Sequence, residues 1–185
     1  LMESDRRAAY AGKLSEAEKL FGEVLDYYEK SGDKTGYLSV LLNLGILYRL
    51  DAASDPDHPE YPQKLSDALA ILLKANDMAK KDGNSVIMEN ILFNLGITYQ
   101  TANKLDSAAK FIEQSISSYK ASGNKYWEAL ASLRLGYLYL EMSASDHGNE
   151  YRKKGIILLR DNLGIIEEYR SKFEDERGRA VFLDN

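Results

Sequence analysis

The sequence predicts an all-α protein built from repeated pairs of antiparallel helices. Three observations predict this fold. All three prolines of the 185-residue chain lie within residues 56–62, and a proline inside a helix costs roughly 3 kcal/mol. No segment sustains the apolar–polar alternation of a strand. A Leu-Gly pair followed by Tyr recurs with the same spacing at 44–48, 95–99 and 135–139, so a repeating structural unit is expected.

Glycines mark the repeat at a fixed interval of thirteen residues. The first glycine of each pair lies in a turn, and the second lies inside an apolar helical pattern; the pairs are Gly32 and Gly45, Gly83 and Gly96, and Gly123 and Gly136. Glycine just past a helix adopts the left-handed conformation at little cost, so the first set is predicted to cap helices. Glycine inside a helix costs about 1 kcal/mol relative to alanine. The second set is therefore predicted to allow close approach of a neighbouring helix.

The helix before each capping glycine carries a small residue near its start. Ala17, Ala68 and Ala108 align at this position, and the last two lie forty residues apart. Two residues before each alanine stand Ser15, Ser66 and Asp106, which are predicted N-caps because their side chains can accept a backbone hydrogen bond. Each unit is then a helix, a turn and a second helix.

This pattern is similar to the tetratricopeptide repeat, in its longer form of about forty residues. The first-helix residues Leu, Gly and Tyr and the second-helix alanines carry the resemblance. It implies a right-handed superhelical solenoid of antiparallel helix pairs. The domain is predicted over residues 1–173, and 174–185 is a charged tail or the start of a further element. The predicted repeats cover about 1–33, 34–84, 85–124 and 125–173.

Several segments depart from the family pattern. The connection between first and second helices is expanded at 51–62 and at 143–150, and the last helix, about 151–173, has Gly155 near the alanine position. Residues 1–11 are too short for a complete first helix, so the chain is expected to begin partway through a repeat. The helix at 15–30 then lacks a partner. Three apolar side chains, Leu20, Val24 and Tyr27, are predicted to be partly exposed and to favour self-association or contact with upstream repeats.

Composition excludes several classes of function. The net charge is −5 and no long basic stretch occurs, which argues against nucleic-acid binding. The absence of cysteine excludes disulfides and thiolate metal sites. No segment is long and apolar enough for a membrane span. A cytoplasmic protein is expected.

No catalytic constellation is recognisable. The two histidines, His58 and His147, lie one in each expanded loop beside carboxylates. One imidazole per loop does not make a closed metal site, so no metal and no cofactor are predicted. Neither a nucleophile motif nor a phosphate loop is present. The sequence therefore predicts a protein that is not an enzyme.

The first helix of each repeat supplies the candidate binding residues. Asn43, Asn94 and Arg134 are equivalent, each two residues before the repeated glycine. The resemblance implies that such residues line a concave groove and hold the backbone of an extended peptide. Hydrogen bonding between helices is the alternative role for the two asparagines. The predicted groove residues are Asn43, Arg49, Asn90, Asn94, Gln100, Arg134, Tyr137 and Glu141.

The predicted function is a non-catalytic protein-interaction module that binds a peptide or a helix along this groove. The alternative is a regulatory or sensor segment of a larger signalling protein, whose partner would be another domain of the same chain. The stretch 169–185 resembles the segment that follows such repeats in proteins with a caspase-like CHAT domain. That resemblance implies a caspase-like protease as the neighbour, although no protease residues are present. A transcription-regulator output domain is the other example of such a neighbour under this alternative.

Overall fold

The computed structural model describes the backbone of residues 2–144 and 148–183, and the side chains of residues 14–144 and 148–171. These parts contain seven α-helices and no strand. The helices are α1 (Met2–Ser31), α2 (Lys34–Ser54), α3 (Tyr61–Asp82), α4 (Ser85–Thr101), α5 (Leu105–Ala121), α6 (Lys125–Met142) and α7 (Gly148–Leu183). The prediction of an all-α fold is confirmed.

The chain forms two compact units, Leu1–Ala102 and Asn103–Asn185. In the first unit α1 packs on α2, α2 on α3, α3 on α4, and α2 also on α4. In the second unit α6 packs against both α5 and α7. Because short connections join consecutive helices, each consecutive pair in contact is antiparallel. The predicted repeat architecture is confirmed at the level of helix pairs, whereas the four repeat boundaries and the handedness of a superhelix stay predictions.

The tight turns end one helix and begin the next within two or three residues. Gly32, Gly83 and Gly123 have φ of +73°, +64° and +74°, so the predicted glycine caps are confirmed. The residue after each glycine caps the following helix, and this was not predicted. Asp33 accepts a hydrogen bond from the backbone N–H of Gly36, and Asn84 and Asn124 accept the corresponding bonds from Ile87 and Trp127. A left-handed glycine followed by Asp or Asn thus ends one helix and caps the start of the next.

The predicted N-caps of the second helices are wrong. Ser15 and Ser66 lie inside α1 and α3, and Asp106 lies in the first turn of α5 after an N-cap at Lys104. The helices begin earlier than predicted because no residue before these positions breaks the helix. The proline near the start of α3 lies in the first turn, where proline is tolerated. The expanded loop therefore shrinks to residues 55–60. The N-terminal residues 2–11 are part of one continuous helix, and α7 continues past residue 173 to Leu183.

Two of the repeated glycines lie at close helix crossings. A Cβ built at Gly45 would lie 2.6 Å from Cγ of Leu72 on α3. A Cβ on Gly136 would lie 3.0 Å from Leu159 Cγ on α7 and 3.1 Å from the carbonyl oxygen of Gly155. The predicted packing role is confirmed at these two positions. Leu72 follows Ala68 by four residues as Leu159 follows Gly155, which places Gly155 at the alanine position.

Buried residues from the first and the second helices of the repeats form the core of each unit. In the first unit, Leu38, Leu72, Ile91 and Leu95 are fully buried. In the second unit, Ile112, Tyr119 and Leu138 are fully buried. The first helices α2, α4 and α6 each bury one face in this way, so their other face is the part that remains to line a binding surface.

Candidate functional site

In the first unit, the predicted binding residues lie on α2 and α4, which pack against each other. Asn43 is exposed, whereas Asn90 and Asn94 are half-buried. Arg49 and Gln100 are half-buried in the C-terminal parts of their helices. Asn43 and Asn94 therefore occupy equivalent places on two neighbouring helices.

The polar side chains of α4 bond largely to their own helix. Asn94 Nδ2 donates to the carbonyl oxygen of Asn90 at 2.9 Å, and Thr98 Oγ1 donates to the carbonyl oxygen of Asn94 at 2.7 Å. Thr101 Oγ1 likewise donates to Ile97 at 3.0 Å. Bonds of this kind satisfy a side chain without a neighbouring helix. A bound segment would use the other amide hydrogen and the Oδ1 of Asn94.

In the second unit, one face of α6 carries a stripe of large polar and aromatic side chains. We call it the α6 face, and it consists of Trp127, Leu130, Arg134, Tyr137 and Glu141. These residues recur at intervals of three and four, so they lie on one side of the helix. Tyr137 is 61% exposed, Trp127 and Glu141 are also exposed, and Leu130 and Arg134 are half-buried. The structure thus brings together the three predicted residues of this unit.

Trp127 and Leu130 are the members of the α6 face that the sequence analysis missed, and Trp127 is the exposed one. Its ring stacks on buried Tyr119, with centroids 6.1 Å apart, and meets Tyr126 edge-on at 5.7 Å. Tyr126 in turn contacts Tyr169 of α7 at 5.4 Å. The spacing could have predicted that it shares this face, because Trp127 lies seven residues, or two helical turns, before Arg134. These ring contacts fix an exposed indole in one orientation.

Arg134 has a buried donor at the centre of the same face. Its Nε has no solvent contact and no hydrogen-bond partner within the described part of the chain. A buried donor left without a partner costs about 1–3 kcal/mol. A carbonyl or carboxylate brought to this guanidinium by a partner would gain a charge-assisted hydrogen bond.

The repeated tyrosines Tyr48 and Tyr139 connect helices. The Tyr139 hydroxyl donates to Glu113 Oε1 of α5 at 2.6 Å. Burial, followed by this hydrogen bond, raises the pKa of Tyr139 well above its usual range. Burial and then a hydrogen bond to Glu18 of α1 raise the pKa of Tyr48 to about 12. Both hydroxyls are therefore protonated at neutral pH and serve helix packing.

The described part of the two histidine loops contains no assembled metal site. His58 is exposed, and its Nδ1 accepts a hydrogen bond from the backbone N–H of Glu60 at 3.2 Å. His147 lies outside the described residues. Among the residues that are described, no group of three or more His, Asp or Glu side chains could hold a metal ion. No helix in that same set is long and apolar enough to cross a bilayer.

Comparison with known proteins gives a partial match to a protein of Bacillus subtilis. No protein-family model matches the chain. Over 69 residues it is 36% identical to response regulator aspartate phosphatase A of Bacillus subtilis strain 168. This match spans 37% of the chain and 18% of that relative. The relative is thus much longer than the stretch it shares with this chain.

A solved structure shows a looser likeness over a longer part of the chain. It is aspartyl phosphate phosphatase F from Bacillus subtilis, with a TM-score of 0.47 and 18% sequence identity. The match covers 92% of this chain and 49% of the solved one. A likeness of this size assigns no function to the chain.

Proposed function

We propose that the chain is a protein-interaction module that holds a peptide or helix of another protein against its first helices. The α6 face is the observation that supports this proposal most directly. Tyr, Trp and Arg dominate the binding energy of protein interfaces because they offer large contact areas with one polar end. Exposed Trp127 and Tyr137, with Arg134 between them, place all three residue types along nearly three helical turns.

In the first unit, the proposed surface is the polar face of α2 and α4. Exposed Asn43 and half-buried Asn94 offer amide donors and acceptors at equivalent positions. Such groups suit the backbone of an extended segment. The proposed surface of this unit also includes Arg49, Asn90 and Gln100, which flank the two asparagines.

On the α6 face of the second unit, we propose that the negative charge of Glu141 selects the sequence of the partner.

The partner class that we propose is a response regulator. The support is the 69-residue match to a relative named for its action on response regulators. The alternative function, a regulatory or sensor segment of a larger signalling protein, draws on the same match because that relative is much longer than the shared stretch. Under this alternative the partner is another domain of the same polypeptide, and the CHAT or transcription-regulator neighbour stays a prediction. A cytoplasmic location is part of the proposal.

Binding to purified response regulators, phosphorylated and unphosphorylated, tests the proposal by calorimetry. Tyr137→Ala should weaken binding by about 1–3 kcal/mol, the range typical of an exposed aromatic at an interface. Asn94→Ala should weaken binding by a similar amount if its amide meets the bound backbone. The matched control is Tyr27→Ala, since this tyrosine of α1 has similar exposure but lies outside the proposed surface.

The result separates the proposal from its competitors. Equal binding by the wild type and by Tyr137→Ala would place the partner elsewhere on the chain. Loss of thermal stability in Asn94→Ala with unchanged binding would assign that side chain to helix packing. Release of phosphate from a phosphorylated response regulator, above its spontaneous rate, would contradict the non-catalytic part of the proposal.

A further inference from the structure

One face of α1 exposes apolar side chains that no described part of the chain covers. Leu20, Val24 and Tyr27 recur at i, i+4 and i+7, and we call them the α1 stripe. Leu20 is 53% exposed and Tyr27 is 65% exposed. On the same side of the helix, Glu16 and Glu23 are exposed next to the stripe. The prediction that these three apolar residues are partly exposed is confirmed.

The helix α7 carries a second stripe with the same spacing. Ile156 and Leu163, seven residues apart, are 53% and 52% exposed, and we call them the α7 stripe. The exposed charged residues on this side of the helix include Arg152, Arg160 and Glu167. Arg160 Nε pairs with its neighbour Asp161 at 2.7 Å, and both side chains are largely in solvent. An exposed pair of this kind is weak and can exchange partners.

The geometry points to association of two copies of this chain, with the α1 stripe of one copy on the α7 stripe of another. We propose this head-to-tail contact because the two faces match in both spacing and charge. If the helices align in parallel, Leu20 meets Ile156 and Tyr27 meets Leu163, since each pair is separated by about 10.5 Å along its axis. The same alignment brings Glu16 level with Arg152 and places Glu23 within one residue of the level of Arg160. An antiparallel alignment would keep Glu23 level with Arg160 but would bring Glu16 near Glu167, with like charges.

The contact joins two different faces, so it is heterologous and leaves one stripe of each kind open in a dimer. Two stripes of two or three apolar side chains bury little area compared with a stable dimer interface. The association is therefore weak and grows with concentration.

Variants that remove one stripe at a time test the head-to-tail arrangement by sedimentation velocity. Leu20→Gln with Tyr27→Gln removes the α1 stripe, and Ile156→Gln with Leu163→Gln removes the α7 stripe. These side chains are exposed, so folding should be preserved, and circular dichroism checks this. Up to about 0.5 mM, the range relevant to a weak interface, the wild type should associate and each variant alone should be monomeric. An equimolar mixture of the two variants should form dimers and nothing larger.

Other outcomes overturn the proposal. Dimers of either variant alone would show that like stripes pair with each other. A wild type and a mixture that both remain monomeric would show that the stripes are covered by something other than a second copy of this chain.

A charge exchange tests the parallel alignment. Glu16→Arg with Glu23→Arg should weaken association by roughly tenfold, because two attractive pairs become repulsive. Adding Arg152→Glu and Arg160→Glu to the same chain should restore it. If the fourfold variant associates no better than the twofold variant, these charges do not face each other.

Discussion

Gly155 lies where the backbones of α6 and α7 touch. A Cβ at this position would lie 2.8 Å from the carbonyl oxygen of Gly136, and a backbone atom of a packed helix cannot move aside cheaply. Gly155→Ala should therefore destabilise the second unit by about 1–3 kcal/mol despite the better helix propensity of alanine. Urea unfolding followed by the fluorescence of Trp127, the one tryptophan of the sequence, measures this.

Gly164 provides the control for this experiment within the same helix. It is exposed, and a Cβ there would have nothing within 4 Å. Gly164→Ala should stabilise the unit by about 0.5–1 kcal/mol, because alanine loses less backbone entropy than glycine in a helix. If both substitutions stabilise the unit, the two helices do not approach as closely as the structure shows.

The tyrosine hydroxyls predict how stability changes with pH. The folded-state pKa of Tyr48 is about 12, above the unfolded value of 10.0. Its contribution to the free energy of unfolding is therefore fully present below pH 10 and is lost as the pH rises toward 12. Between pH 8 and pH 11, the wild type should lose more stability than Tyr48→Phe, as measured by urea unfolding at the two pH values.

A second variant separates the causes of this shift. Glu18→Gln keeps an acceptor for the hydroxyl but removes the negative charge. Because burial is the largest cause of the raised pKa, the difference between pH 8 and pH 11 should shrink in this variant without disappearing. A Glu18→Gln profile identical to that of Tyr48→Phe would mean that the carboxylate, and not burial, dominates.

At the scale of helices, an ion pair joins α2 to α3 on either side of the 55–60 loop. Asp51 Oδ2 lies 2.5 Å from Lys64 Nζ, and their side chains are 5% and 27% exposed. Lys64→Met should cost about 3–5 kcal/mol because it leaves a buried carboxylate without its cation. Asp51→Asn should cost less, roughly 1–2 kcal/mol, since the lysine can turn its ammonium toward water. Urea unfolding of both variants checks this order.

The control is an exposed ion pair at the opposite ends of the same two helices. Lys34 Nζ lies 2.5 Å from Asp82 Oδ1, and the lysine is largely in solvent. Lys34→Met should change stability by no more than about 1 kcal/mol. Equal costs for Asp51→Asn and Lys64→Met would mean that both charges reach water equally well.

Helix ends show what the sequence could and could not predict at this scale. The glycines at 32, 83 and 123 were predictable because only a left-handed residue closes such a turn cheaply. The caps at Ser15 and Ser66 were predicted wrongly, since a serine also fits inside a helix when the chain before it can continue the helix. Asp33, Asn84 and Asn124 were overlooked, although each directly follows a predicted capping glycine.

For the whole molecule, the repeated glycine, alanine and tyrosine positions were sufficient to predict an all-α chain of helix pairs. They could not predict the division into units at Ala102 and Asn103, because that division depends on long-range packing. The candidate site shows a similar limit. Register predicted that Arg134, Tyr137 and Glu141 share a face, but the exposure of Trp127 depends on how Tyr119 and Tyr126 hold its ring.

The connections between the helices of the first unit differ in how well they tolerate inserted residues. The α1–α2 and α3–α4 turns each consist of a left-handed glycine and a capping Asp or Asn, so an added residue would undo two helix ends at once. The 55–60 loop is exposed over most of its length, and the Tyr61 hydroxyl that follows it is anchored to the carbonyl oxygen of Thr101 at 2.7 Å. Extra residues placed before that anchor would extend into solvent and leave both helices in place. Among relatives of this chain, inserted segments should therefore accumulate between α2 and α3, where a new binding loop could arise without disturbing the helices around it.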